Sequence, residues 1–342
     1  PAFTGQYVQD GHLWGVPQDA SAMAMAYSPS VLEKIGLTTD DLPTTWSEFL
    51  DFVQRWEDDF ADDYADLTLV ETYNSNLGYR LANMILNDNM AYYSGAGRDL
   101  TFDTPVLQGL FAKIAQIKGT LDALSPDEDQ NNVVYYSSDT PSALFQIGCL
   151  VSPADYSYQD YEALPLSLGD GYTPAITMSL NLYMMNANCT APDLAQTFLE
   201  FAATHMTPAT KITLCPDAND PVENEYYAQN MKNFQDNIDN LNESIAAADD
   251  VNKRELEDTL KEVQSEMQIF ERDERWSISE EDIAAWRAIE PYVSVTDNSV
   301  FMASGSTEIV SLLTRYNEGQ MESTQFLKEL DRIVRMIRME NS

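Results

Sequence analysis

Asp10-Gly11-His12-Leu13-Trp14-Gly15-Val16-Pro17 opens the run of sequence that decides this fold. The run continues through Ala22-Met23-Ala24-Met25-Ala26-Tyr27 and Ser28-Pro29-Ser30-Val31-Leu32-Glu33-Lys34-Ile35-Gly36-Leu37. It ends at Leu42-Pro43-Thr44-Thr45-Trp46-Ser47-Glu48-Phe49. Asp10-Gly11 is a turn signal, because glycine takes positive φ without steric cost. Ala22 to Tyr27 is apolar throughout, as expected of a strand buried on both faces of a parallel or mixed sheet. Ser30 is placed to cap a short helix, and Gly36 stands where a left-handed C-terminal residue is wanted. Thr45-Trp46-Ser47-Glu48 reads as a capping box, in which hydroxyl and carboxylate satisfy orphan amides reciprocally. The helix that it starts repeats Phe49, Phe52, Val53 and Trp56 on one face.

Outward from this run, strand and helix signals alternate, which argues an α/β class. Leu67 to Val70 reads as a short strand. Leu77 to Asn87 has helical spacing in Leu77, Leu81, Met84 and Ile85. Pro105 to Lys118 carries Leu107, Leu110, Phe111 and Ile114 on one face. Ile176 to Asn186 is strand-like. The helix that follows opens at Thr190-Ala191-Pro192-Asp193 and is expected to bury Leu194, Phe198 and Phe201; proline in a first turn gives up no hydrogen bond. A closing helix from about Ser323 repeats Phe326, Leu330, Ile333, Val334 and Ile337.

Residues 225–275 differ in character. Tyr227, Met231, Phe234, Ile238, Leu241 and Ile245 step by alternate fours and threes, and Leu256, Leu260, Val263, Met267 and Phe270 do the same. Ala247 to Asp250 interrupts them, which makes an antiparallel helical hairpin with coiled-coil-like seams. Phe234 and Leu241 are expected to face Leu256, Leu260 and Val263. Ser279 and Asp282 then cap a helix through Ile283, Trp286 and Ile289.

The Asp10 to Phe49 block resembles the middle of the family 1 extracellular solute-binding proteins, the carbohydrate-capturing components of ABC importers. Ala191-Pro192-Asp193-x-Ala195-x-x-Phe198-Leu199-x-Phe201 is similar to the step by which that family returns to its first lobe. The resemblance implies a periplasmic-binding-protein-like type II two-lobe fold, largely its second lobe, with the hairpin inserted. It implies a chain that begins in mid-fold and lacks most of the first lobe. By that resemblance residues 1–16 end the first lobe and form a hinge strand, and 17–180 form the second lobe. Residues 181–224 are the return segment of the first lobe, 225–275 the inserted hairpin, and 276–291 a helix of the first lobe. Residues 292–342 are the hinge and closing helices of the second lobe.

Composition bounds the partners. The 342 residues carry 19 basic and 56 acidic side chains, a formal charge of −37. Such a surface repels phosphate backbones and anionic headgroups, so nucleic acid is not an expected partner. Cys149, Cys189 and Cys215 lack metal-ligand spacing and read as small hydrophobes. No apolar run approaches the roughly 20 residues that span a bilayer. The chain starts at Pro1 with neither leader nor lipid-anchor cysteine, as expected of a trimmed piece.

Neither His12 nor His205 has a nucleophile beside it, and no glycine-rich phosphate loop is present. Asp127-x-Asp129-x-Asn131 matches the first spacings of a calcium loop but has Asn132 and Ser138 where glycine and glutamate are needed, so it reads as an acidic surface loop. No enzyme activity, cofactor or metal is expected. The family resemblance implies a carbohydrate ligand, the permease subunits of an ABC importer as partners, and an address on the extracellular or periplasmic face of the membrane, lipid-anchored in the full-length protein. A different class of function, a surface interaction protein working through the hairpin, is the alternative. Tyr73 and Asn74 after the strand at Leu67, and Ser152 and Asp155 after Val151, are candidate ligand contacts because open α/β sheets bind ligands at strand ends. The family resemblance implies the rest: Gln18, Asp19 and Ser21 just past the hinge, where the family places polar ligand contacts, and Thr177 and Ser179 in the segment that borders its cleft before the second crossing. Trp14 in the hinge strand is either core or platform.

Overall fold

The computed structural model describes residues 8–9, 12–13, 15–71, 76–95, 97–125, 142–156, 160–296 and 306–340. Its strands are β1 (Val8–Gln9), β2 (His12–Leu13), β3 (Val16–Tyr27), β4 (Thr68–Glu71), β5 (Ala143–Leu150), β6 (Glu162–Ala163), β7 (Ile176–Tyr183), β8 (Val222–Glu223), β9 (Trp276–Ile278) and β10 (Val293–Val295). Its helices are α1 (Pro29–Lys34), α2 (Trp46–Trp56), α3 (Leu77–Gly95), α4 (Pro105–Gln116), α5 (Lys118–Ala123), α6 (Pro153–Tyr156), α7 (Pro192–Thr204), α8 (Pro208–Leu214), α9 (Tyr227–Ala247), α10 (Asp250–Asp273), α11 (Glu280–Ile289), α12 (Ser306–Asn317) and α13 (Ser323–Glu340).

A six-stranded mixed sheet organises the body, in the order β10-β7-β3-β5-β4 with β6 alongside β3. The long strand β3 runs antiparallel to β5 and β7, while β4 is parallel to β5 and β10 parallel to β7. The short β6 is also antiparallel to β3, so five of the six strands point their carboxyl ends the same way, against β3.

Side chains alternate across the sheet, so its two faces have separate cores. The first face carries Met25, Tyr27, Phe145 and Ile147, covered by α2, α3, α4 and α13 in one continuous core. Phe49 and Phe52 of α2 meet Phe145 edge-on at centroid distances of 5.1 and 5.5 Å. Phe111 of α4 stacks on Phe326 of α13 at 5.3 Å. Burying each such ring is worth roughly 1.5–3 kcal/mol. Asp331 ties α13 down, its Oδ1 accepting from the Thr101 hydroxyl at 2.8 Å and the Phe102 amide at 2.9 Å. The closing helix thus packs on the lobe built by β3, as its apolar stripe requires.

The second face carries the alanines of β3. Ala22, Ala24 and Ala26 pack with Cys149, Met178, Leu214, Trp286 and Ile289. Small side chains let α8 and α11 approach the strand closely. Residues 276–291 were expected as a helix of the first lobe. α11 forms with its Ser279–Asp282 capping box, and Trp286, wholly buried, and Ile289 pack it on the second face of this sheet. A turn at Glu290–Tyr292 then leads into β10, which pairs with β7.

Two local expectations need correction. Ser28, not Ser30, caps α1: its hydroxyl oxygen accepts from the Val31 amide at 3.2 Å, and Pro29 takes the first helical position, where no amide is needed. The Ser30 hydroxyl instead donates to Asp160 Oδ2. The helix at 192–204 does not bury its aromatic face: Leu194, Phe198 and Phe201 are 72, 51 and 56 % exposed. α7 turns its half-buried Ala195, Leu199 and Ala202 inward, while Phe198 meets Tyr183 of β7 edge-on at 5.3 Å and Phe201 stacks on His205 at 3.9 Å without being buried. In the hairpin, Phe234 meets Phe270 at 5.5 Å. α9 and α10 are joined only by Ala248 and Asp249, and so short a turn sets Phe234 opposite the far end of α10. The hairpin buries Ile238 and Val263, stacks Tyr227 on Phe270 at 5.9 Å, and joins the body through the β8–β9 ladder.

Candidate functional site

The first half of β3 and the whole of β7 form an antiparallel ladder that continues beyond the core. Its register sets Asp19 beside Asn181, Ser21 beside Ser179, and Met23 beside Thr177. Ala20 and Ala22 point to the second face, so alternation puts Asp19, Ser21 and Met23 on the other. There the Asn181 amide Nδ2 donates to Asp19 Oδ1 at 2.7 Å. Ser179 and Asn181 are exposed, and Asp19 and Ser21 half-buried. Met23 and its cross-strand neighbour Leu150 are large exposed apolar side chains on the same stretch. The result is a ledge that starts at the carboxyl end of β5 and runs along β7, with a polar row next to an apolar step.

A bulge shapes the ledge. The pairing of β3 with β5 slips between Ala24 and Met25, and Gly148 takes a φ of +70°, a conformation that L side chains rarely adopt. A Cβ there would also meet Met23 Sδ at 3.2 Å. Arg80 of α3 also holds the bulge, donating to the carbonyls of Ile147 at 2.9 Å and Glu71 at 3.3 Å.

The residues singled out from sequence divide into three groups. Asp19, Ser21 and Ser179 are brought together on the ledge. Thr177 lies beside them but is buried and already engaged, its hydroxyl donating to the Asn87 carbonyl at 3.1 Å. Ser152 and Asp155 serve the backbone: Ser152 Oγ accepts from the Ala22 amide at 3.0 Å, and the Ser152 amide donates to Asp155 Oδ2 at 3.2 Å. Burial raises the Asp155 carboxyl above its usual range, against the lowering pull of the Ser152 bonds. Gln18 sits exposed at the irregularity between Pro17 and Asp19, its carbonyl accepting from Thr210 Oγ1 at 3.4 Å. Trp14, Tyr73 and Asn74 lie outside the described residues, as does the Asp127–Asn131 loop.

Sequence reading missed Asn181, Met23, Leu150 and Arg80. A lone glycine inside an apolar strand was the one available signal for the bulge. The rest depends on cross-strand register, which no local pattern encodes. Among the described residues, no group of histidine, cysteine and carboxylate side chains could hold a metal ion, and no helix is long and apolar enough to cross a membrane.

The profile of the bacterial extracellular solute-binding proteins matches residues 1–207. No curated protein is similar in sequence. Among solved structures, the cyclic alpha-maltosyl-1,6-maltose binding protein from Arthrobacter globiformis superposes with a TM-score of 0.53 at 11% identity, over 97% of this chain and 74% of that one. A sugar transporter protein from Arthrobacter chlorophenolicus with bound laminaribiose gives 0.52 at 13% identity, over 98% and 75%. UgpB from Mycobacterium tuberculosis, in complex with glycerophosphocholine, gives 0.52 at 13% identity, over 99% and 74%. At such identities the likeness is one of fold.

Proposed function

Because the chain belongs to the bacterial extracellular solute-binding proteins, we propose that it captures a sugar or oligosaccharide and hands it to the permease subunits of an ABC importer. The ledge between β3 and β7 is the observation that carries this reading. Its Asp19–Asn181 pair and the Ser21 and Ser179 hydroxyls offer acceptors and donors in register, and Met23 and Leu150 offer an apolar step beside them. Sugars are amphipathic in the same way, with hydroxyls that pair with carboxylates and amides and C–H faces that prefer apolar contact. In this reading β3 and β7 are the strands that cross between lobes, and ligand closes a second lobe over the ledge. The full-length protein is held outside the cell by a lipid anchor. No tuned acid–base pair is required, in keeping with a family of binding proteins rather than enzymes.

Titration calorimetry against mono- and disaccharides, with glycerophosphocholine as a comparison, tests the assignment. Saturable heat with a sugar, weakened about tenfold or more in Asp19→Ala, is expected from the loss of a charge-assisted hydrogen bond. Heat with glycerophosphocholine alone would move the ligand class away from carbohydrate. Unchanged affinity in Asp19→Ala would remove Asp19 from the site.

A further inference from the structure

A pocket of about 200 Å3 lies away from the ledge, where α4, α5 and the turn between α12 and α13 meet the start of α3. Its floor is apolar, made by the buried side chains of Ile114, Leu121 and Met321. Tyr316 closes one side and cannot swing away. Its ring is packed between Phe111 and Phe326 at 5.3 and 4.9 Å, and its hydroxyl donates to the Phe111 carbonyl.

The wall of this pocket carries Asn317, whose side-chain Nδ2 is buried and has no hydrogen-bond partner. Three of the polar side chains in the lining are already engaged. Asn76 Oδ1 accepts from the Tyr79 amide at 2.9 Å, and Lys118 Nζ donates to both Asp122 oxygens at 2.9 and 3.0 Å. A buried donor without an acceptor is uncommon in a folded protein and marks a place where something else supplies the acceptor. Here it borders an open volume, and the surrounding groups leave that volume unclaimed.

We propose that this pocket is a second small-molecule site, for an uncharged compound of monosaccharide size or less. Such a ligand offers a carbonyl or hydroxyl oxygen to Asn317 Nδ2 and lays a short aliphatic part on Ile114, Leu121 and Met321. Asp122 and Glu322 at the rim, on a chain of net charge −37, disfavour an anion, Lys118 being already paired with Asp122. A simple cation offers Asn317 Nδ2 no acceptor. The site stands independently of what the ledge binds.

The test is a titration of the isotope-labelled chain by NMR with two probes, 2-pyrrolidinone and hexane-1,2-diol. The Asn317 side-chain amide and the Met321 methyl are the reporters. Both signals should shift together and saturate, with Kd in the millimolar range appropriate to probes this small. Asn317→Asp exchanges the donor for an acceptor and should abolish the Met321 shift. Ala115→Trp, at an exposed position on the rim, plugs the mouth without touching the core and should abolish it as well. Absence of any shift with both probes overturns the proposal. Shifts that persist in Ala115→Trp place the probe elsewhere and overturn it equally.

Discussion

Two side chains, the buried Asp88 and the half-buried Arg287, concentrate testable physics at the scale of single residues. Asp88 lies in the core of the first face, where its Oδ2 accepts a 2.7 Å hydrogen bond from Trp46 Nε1. Burial dominates that bond and raises its carboxyl well above the ordinary value of 3.8. The folded chain therefore holds a proton there that the unfolded chain releases. Stability from this group is fully present below the unfolded value and is lost as pH rises toward the folded one. Asp88→Asn removes the titrating group, so the variant should lose less stability than the parent between pH 4 and neutrality. Urea midpoints across that range provide the comparison, and identical slopes would show that Asp88 is ionised in the folded chain. Arg287 works by another route. Its guanidinium donates to the carbonyls of Ile212, Cys215 and Ala218, to Asn219 Oδ1 and to Glu290. It thus gathers the end of α8 and the following turn onto α11. Arg287→Met strands these acceptors together and should destabilise the fold by roughly 2–4 kcal/mol. A change below measurement error in the denaturant midpoint would mean that water replaces it.

Elements were legible in sequence where a local rule decided them. The Thr45–Glu48 and Ser279–Asp282 boxes appear where their residues demand, Gly36 takes a φ of +76° at the end of α1, and the periodic stripes of α2, α4 and α13 are buried. Legibility failed where partners distant in sequence decide. Periodicity marked an apolar face on α7 but could not say whether anything covers it. Heptad-like steps set the two helices of the hairpin but not the level at which Phe234 finds Phe270. Of the ledge, Asp19, Ser21 and Ser179 follow from the family resemblance and lie inside β3 and β7 rather than at strand ends. Asn181 became visible only through the β3–β7 register, and Ser152 and Asp155 proved to be backbone partners. The hairpin gives the prediction at this scale. Leu241 lies one turn beyond the buried Ile238, in the seam shared with α10. Leu241→Asp sets an unpaired charge in that seam and should melt α9 and α10 while the body stays folded. Circular dichroism would lose helix signal as tryptophan fluorescence from Trp46 and Trp286, both in the body, stays at the parent's wavelength. Simultaneous loss of both would make the hairpin part of the core.

Charge governs the molecule as a whole. With 56 acidic side chains against 19 basic ones, most carboxylates have no cation to pair with, and the ion pairs that form are largely exposed, such as Lys34–Asp66 and Lys261–Asp258. Exposed pairs add little each, so the balance at low salt is net repulsion across a compact surface. The unfolded chain relieves that repulsion by expanding. Added salt shortens the Debye length from about 30 Å at 0.01 M to about 8 Å at 0.15 M, which screens repulsion between separated carboxylates more than it weakens pairs in direct contact. The unfolding midpoint should therefore rise as sodium chloride is added from 0.01 to 0.15 M. It should rise similarly with potassium chloride, since bulk screening needs no specific ion. Thermal unfolding followed by circular dichroism in both salts is sufficient. A midpoint that stays level or falls would mean that local ion pairs outweigh the field of the whole chain, and a rise with one cation only would mean that the acidic surface binds that ion at defined places.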